Sequence, residues 1–304
     1  MKQILGTSNL FVPRIGLGCM RMAALDQLDA ARVLATCLEK GVNFFDHADI
    51  YGGGQSEVRF AQAARDLGLQ RQDLIIQSKC GIRKGYFDFS KEHILASVDG
   101  ILSRLKTDYL DVLALHRPDA LMEVDEVAEA FRILKESGKV HYFGVSNQNR
   151  YQMELLESWL DEPLVVNQLQ LSPAHTPMID TGLHVNMKED AATMRDGGIL
   201  EYCQLKKVTP QAWSPFLISL QEGIFAGHPD YEELNNTIQH YADYYGVAPE
   251  AIVVAWILRH PAKIQTIVGS MNSERLNKIT QAFDVQLTRE QWYHIYRSAG
   301  NKLP

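Results

Sequence analysis

Residues 43–54, NFFDHADIYGGG, place Asp46, His47, Asp49 and Tyr51 within six positions, directly after a short apolar run bounded by glycines. The arrangement recurs down the chain: Lys79 closes LIIQSK, His116 follows YLDVLAL, Asn147 follows YFGVS and Gln168 follows LVVN. Parallel barrels hold their chemistry at the C-terminal ends of their strands, so titratable groups leaving such runs read as catalytic. Taken singly, each has a bland reading as a polar loop or a satisfied structural group. Gathered at one mouth, they form a specific set. A metal site built from His47, Asp49 and His116 is the rival, but it asks for histidine-rich strand ends. The other ends carry Lys, Asn, Gln and Trp, so no metal is expected. His47 then reads as packing or a minor site-lining group, and Cys80 as a buried apolar filler.

The elements that must carry these groups follow from hydrophobic periodicity and turn residues. Residues 2–14 alternate apolar and polar around Gly6-Thr7-Ser8-Asn9 and predict a hairpin ahead of the main fold. Near-continuous apolar runs predict eight strands, at 15–20, 43–46, 74–79, 109–115, 142–145, 164–171, 209–214 and 266–269. Between them, Leu28, Ala31, Leu34, Ala35 and Leu38 fall at helical spacing before Gly41, and 56–67 predicts a helix capped by Ser56. Further helices are predicted at 91–105 from the N-cap Ser90, at 124–136 up to Gly138, at 151–159, and at 289–298 with Trp292 and Ile295 inward. Strands of this character are buried on both faces by flanking helices. Eight such units in 304 residues predict an α/β fold, a (β/α)8 TIM barrel with an N-terminal β-hairpin cap and an extra C-terminal helix, as one domain over residues 1–304. A doubly wound sheet is the weaker alternative: Gly16-Leu17-Gly18 begins GxGxxG, but Arg21 stands where the third glycine belongs. Two long connections, 172–190 and 215–229, leave the ends of strands six and seven and should overhang the mouth.

Composition limits the partners. Hydrophobic content of 46% and charged content of 22% are those of an ordinary globular protein. A net charge of −7, without a long basic run, argues against nucleic acid. Cys19, Cys37, Cys80 and Cys203 lie far apart with no metal or redox spacing. The N-terminus opens on polar residues, and no apolar run is long enough to span a bilayer. A reduced, cytoplasmic protein with free thiols and no membrane partner is expected.

The ordered series FDHADIYGGG, QSKCG, LALHRPD, GKVHYFGVSN, VVNQLQ, AWSPF and IVGSMNSERL resembles the aldo-keto reductase family over essentially the full length. The resemblance implies an NADPH-dependent oxidoreductase that reduces an aldehyde or ketone to an alcohol. In that reading Asp46, Tyr51, Lys79 and His116 match the catalytic tetrad. Ser146, Asn147 and Gln168 match the residues holding the nicotinamide carboxamide, and Trp213 stands where the family stacks an aromatic, usually Tyr, on the nicotinamide ring. Met20, Asp46, Ser214, Phe216 and Gly269 complete the implied cofactor contacts. The chemistry suits these residue types: Tyr51 would deliver a proton as charge develops on the carbonyl oxygen, and Lys79 would ease its release. Asp46 would keep Lys79 charged, and His116 would orient the oxygen or share the proton transfer.

Ser270 and Arg275 resemble contacts to the adenosine 2′-phosphate, beside a helix starting near Ser273, which favours NADPH (NADP+) over NADH. The departures are Gly269, where many members place a lysine, and Lys278 and Ile279 in place of the usual polar adenine contacts. Some proteins of this fold serve chiefly as regulatory subunits that bind the nucleotide; a complete tetrad argues for the enzyme. Tyr86 and Phe87 after strand three, with the long connections, suggest an apolar substrate pocket for a small-molecule carbonyl.

Overall fold

The computed structural model describes every residue from Met1 to Pro304. Eight strands, β1 (Ile15–Gly18), β2 (Phe44–Asp46), β3 (Ile75–Cys80), β4 (Leu110–Leu115), β5 (Val140–Ser146), β6 (Val166–Gln170), β7 (Thr209–Trp213) and β8 (Gln265–Val268), close into a barrel in sequence order. Every neighbouring pair is parallel, with β8 joining β1 through Thr266 opposite Ile15. The strands are short and buried almost throughout, as at LDVLAL in β4, because helices cover the outer face and side chains fill the inner one.

Two apolar cores result. The larger lies between the barrel and its helices; a smaller cluster of Leu5, Val12, Phe44, Val112, Val165, Val166 and Ile267 fills the lower interior. The antiparallel pair Lys2–Ile4 and Phe11–Pro13 supplies Leu5 and Val12 to that cluster and closes the bottom, as the alternating pattern predicts. Gly16 is required here, since a Cβ would stand 2.8 Å from Phe44 Cδ1 and 3.0 Å from Ile267 Cδ1.

The helices are α1 (Gln27–Glu39), α2 (Gln55–Asp66), α3 (Lys91–Leu105), α4 (Val124–Glu136), α5 (Arg150–Glu157), α6 (Pro177–Leu183), α7 (Ile199–Lys206), α8 (Glu232–Tyr245), α9 (Pro249–Leu258), α10 (Ser273–Thr280) and α11 (Arg289–Ser298). Ser90 caps α3 by accepting from the His93 N–H, and α11 buries Trp292 and Ile295, both as expected. Two expectations are corrected. The buried face of α1 is Ala30, Val33, Leu34 and Cys37, while Leu28 is exposed; the helix is rotated so that its β-branched and thiol groups meet the barrel. Ser56 lies inside α2 and not at its cap, and its hydroxyl donates to the Met20 carbonyl at 3.2 Å and accepts from Ala23 N–H at 3.3 Å. It ties α2 to the 3₁₀ turn Cys19–Ala24 that follows β1.

The predicted long connections carry structure of their own. Residues 172–190 include α6, and residues 215–229 include a small antiparallel pair, Leu217–Ser219 with Gly223–Ile224. Helix α9, PEAIVVAWIL, is buried on every side except its first two residues, so it has no amphipathic period to announce it. Trp256 of α9 stacks on Trp292 of α11 at 4.8 Å, and each indole N–H donates to the other's backbone carbonyl.

Candidate active site

The barrel mouth is where the apolar runs end and the polar groups begin. In β2, Phe44 and Phe45 are buried and Asp46 is the last strand residue, paired in register with Gln77 of β3. Beyond it, Gly52, Gly53 and Gly54 have φ of 58°, 62° and 86°, three successive left-handed residues that only glycine adopts cheaply. They reverse the chain at once and leave Tyr51 pointing back over the end of β3.

Lys79, near the end of β3, is fully buried and is the hub of the site. Its Nζ lies 2.7 Å from Asp46 Oδ1, donates to the His47 carbonyl at 2.8 Å and reaches the Tyr51 hydroxyl at 3.3 Å. Burial alone would lower the lysine pKa, but the Asp46 carboxylate and Tyr51 outweigh it and the pKa is raised. Burial likewise raises the Tyr51 pKa; Lys79 works against that, and Asp46 with it. The sequence reading stressed the lowering by Lys79, and here desolvation wins, so the phenol is held in its protonated form.

His116 follows β4, its ring 5.8 Å from that of Tyr51 and edge-on to it. Burial, Lys79 and Arg117 push its pKa down to about 2, and its Nδ1 is buried without a partner. His47 is different in kind: fully buried, edge-on to Phe60 at 4.6 Å, and pushed to about 3 by burial and Lys79. Its place is in the packing, as expected. No group of three or more His, Cys, Asp or Glu side chains is arranged to hold a metal.

On the far side of the mouth, Ser146 donates to the Gln168 carbonyl at 2.9 Å, Asn147 Nδ2 donates to Ser146 Oγ at 2.7 Å, and Trp213 Nε1 donates to Asn147 Oδ1 at 3.3 Å. Asn147 and Ser214, after β5 and β7 on either side of β6, both hold positive φ, 57° and 50°. For serine that is a backbone strain of order 1 kcal/mol, and it sits beside the cleft described next.

Between the ends of β7, β8 and β1 runs a cleft of about 760 Å³ whose lining includes Arg21, Ser214, Phe216, Gly269, Ser270 and Arg275. Arg275 lies in the first turn of α10, where Asn272 caps the helix by accepting its N–H at 2.9 Å. Met20 stands exposed on the turn just before Arg21. Lys278 does not line the cleft, whereas Arg21 does; the sequence reading noted Arg21 only as a break in a glycine motif. Nothing in its spacing marks it, because the 3₁₀ turn that swings it over the cleft depends on Ser56, 35 residues later.

A second cavity of about 410 Å³ opens at the mouth between Arg117, Gln170, His175, Arg195 and Trp213. Polar groups such as Asn147, Gln170 and His175 share its lining with Leu169, Met178, Ile199 and Leu220. Tyr86 and Phe87 sit on an exposed two-stranded turn and line neither cavity, so the expected apolar contribution from them is not found.

The family model described as "Aldo/keto reductase family" matches residues 14–298. The uncharacterized oxidoreductase YcsN of Bacillus subtilis (strain 168) is 37% identical, with both chains covered completely. The 6-dehydroglucose reductase of Agrobacterium fabrum (strain C58) is 33% identical, with 99% of each chain covered. Among solved structures, the thermostable aldo-keto reductase Tm1743 in complex with the inhibitor epalrestat superposes with a TM-score of 0.79 at 25% identity, covering 98% of this chain and 99% of that one. With the eight-stranded barrel and a match of this extent, the chain belongs to the aldo/keto reductase family.

Proposed function

We propose that this oxidoreductase uses NADPH to reduce an aldehyde or ketone, within one domain spanning residues 1–304. The observation that carries the reading is the contact chain Asp46–Lys79–Tyr51, with the His116 ring against Tyr51, at the open end of the barrel. Tyr51 gives its phenolic proton to the carbonyl oxygen as negative charge develops there. Lys79 offsets the phenolate charge that results, and Asp46 keeps Lys79 protonated in a site where a lone ammonium would lose its proton. His116, neutral because burial depresses its pKa to about 2, orients the oxygen by hydrogen bonding and carries no proton of its own to donate as imidazolium. Of the two roles left open by the sequence, this favours orientation.

The residues lining the larger cleft suit the nucleotide. Arg21 and Arg275 face it without a carboxylate partner, which fits a ligand with phosphates at more than one point. Ser270, Gly269, Ser214 and Phe216 would hold the adenosine side, Met20 the rim, and Ser146, Asn147, Gln168 and Trp213 the carboxamide and ring. When bound, the nicotinamide supplies the hydride. The guanidinium, amide and imidazole groups at the mouth, together with the relative named 6-dehydroglucose reductase, support an oxygen-rich carbonyl substrate. No helix is long and apolar enough to cross a membrane, and the four cysteines are buried and unpaired, which suits a reduced, cytoplasmic setting.

The test is consumption of NADPH with an activated aldehyde such as 4-nitrobenzaldehyde, against NADH at equal concentration. Turnover with both substrates present, faster with NADPH, is expected. Tight nucleotide binding with no turnover on any carbonyl would instead favour a nucleotide-binding regulatory subunit of the same fold.

A further inference from the structure

The mouth cavity contains a cation that nothing in the protein neutralises. Arg117, next in the chain to His116, is half-buried, with its guanidinium carbon 5.6 Å from the centre of the Trp213 ring. No carboxylate or carbonyl of the protein accepts from it. Elsewhere in the barrel, partly buried arginines are paired: Arg71 with Asp111 at 2.7 Å and Arg104 with Glu57 at 2.6 Å. A guanidinium carries five N–H donors, and those of Arg117 face the open cavity with no acceptor from the protein. Burial accordingly holds the Arg117 pKa below the usual guanidinium value, with Tyr51 pulling it back up. A ligand carboxylate would supply two coplanar oxygens to that fork.

The neighbours favour an anion there. Arg195 Nη1 is engaged by the backbone carbonyls of Asp190 and Thr193 at 3.0 and 3.4 Å, leaving its charge on the cavity wall. Asp196 is the one carboxylate on that wall; Oδ1 accepts from Gly198 N–H at 3.0 Å and burial raises its pKa. His175 is held neutral by burial, which lowers its pKa. Two guanidiniums against one carboxylate leave the lining net positive. Arg117 is also close enough to bias His116, so its ligand would sit beside the reacting centre.

We propose that Arg117 is a specificity-determining residue that grips a carboxylate on the carbonyl substrate, making the substrate class aldehydes or ketones with an acid group near the reacting carbon. This rests on the reductase reading above. The test compares 3-carboxybenzaldehyde with its neutral isostere 3-nitrobenzaldehyde in wild type, Arg117→Gln and Arg117→Lys. Wild type should favour the carboxylate by ten-fold or more in kcat/KM, through KM; Arg117→Gln should lose that preference while 3-nitrobenzaldehyde changes less than about three-fold. Arg117→Lys, a point charge without the fork, should keep part of it. If wild type shows no preference, or Arg117→Gln slows both substrates alike, Arg117 only clamps Trp213 and the proposal fails. Calorimetry of the NADP+-loaded protein with 3-carboxybenzaldehyde against 3-nitrobenzaldehyde gives the same comparison without turnover, because the oxidised cofactor carries no hydride to transfer. Absent turnover with the acid still preferred would overturn the reductase reading and keep Arg117 as an anion site; equal binding would overturn Arg117.

Discussion

At the residue scale, the site is an exercise in which charge burial is permitted. Lys79 is fully buried yet kept charged, because a carboxylate oxygen stands 2.7 Å away and a backbone carbonyl at 2.8 Å accepts a second hydrogen bond from the ammonium. His116, half-buried, and His47, fully buried, have no such partners and are neutral, with pKa values pushed to about 2 and about 3. This makes a definite prediction for pH. Tyr51 must be protonated to act as the acid, and its pKa is raised, so reduction should hold through neutral pH and fall only as pH rises through the Tyr51 value. No acidic limb near the ordinary histidine value of about 6.5 is expected, since His116 does not titrate there. A kcat/KM profile with a limb at that pH, abolished in His116→Gln, would show that a charged histidine takes part. Asp46, Lys79 and His116 were legible in sequence as polar stops at the ends of apolar runs, and Tyr51 because it follows the first of them within six positions. Arg117 was not, since a cation beside a histidine has no pattern until its lack of a partner is seen.

At the scale of elements, the strand ends are what the sequence shows best. A buried parallel strand is a short apolar run with a polar stop, and all eight were placed within a few residues. Helices α6 to α9 were missed: α6 lies inside the expected connection 172–190, α9 is apolar all round, and α7 carries little periodic contrast, with Ile199, Leu200, Tyr202 and Cys203 buried together. The turn Cys19–Ala24 was read as the end of a strand, which hid Arg21. Its position sharpens the cofactor prediction. Arg275 enters the cleft from α10, after β8 and Ser270, and Arg21 from the turn after β1, beside Met20. Arg275→Ala should therefore remove most of the preference for NADPH over NADH, roughly ten- to a hundred-fold in affinity from one charge-assisted contact, with NADH binding almost unchanged. Arg21→Ala should weaken both cofactors by similar factors, because the phosphates nearer the nicotinamide are common to them. Six dissociation constants, for both cofactors on wild type and the two variants at fixed ionic strength, decide it; an Arg275→Ala protein that keeps the wild-type ratio would move the 2′-phosphate to Arg21.

At the scale of the whole molecule, the barrel interior links the site to its base. Gln77 Nε2 donates to Asp46 Oδ1 at 2.7 Å and to Gln211 Oε1 at 2.8 Å; Gln211 Nε2 donates to Gln265 Oε1 at 2.8 Å, and Gln265 Nε2 to the Pro13 carbonyl at 2.7 Å. Gln168 joins the same ladder through Gln211 Oε1 at 3.1 Å. These glutamines were not legible as a group, because strands β3, β6, β7 and β8 bring them together only when the barrel closes. Gln77→Leu would leave Gln211 and one Asp46 oxygen short of a buried partner and should cost about 1–3 kcal/mol of stability. The midpoint of urea unfolding should fall at constant m; an unchanged midpoint would mean the ladder repairs itself around the lost amide. The same closure places Tyr51 over Lys79 at 3.3 Å, and on that placement the functional reading depends. Nucleotide binding and turnover measured side by side in wild type and Tyr51→Phe test it most directly. The account predicts unchanged NADPH affinity and a kcat lower by roughly 10²- to 10⁴-fold, the loss of a general acid; turnover at the wild-type rate in Tyr51→Phe would contradict it.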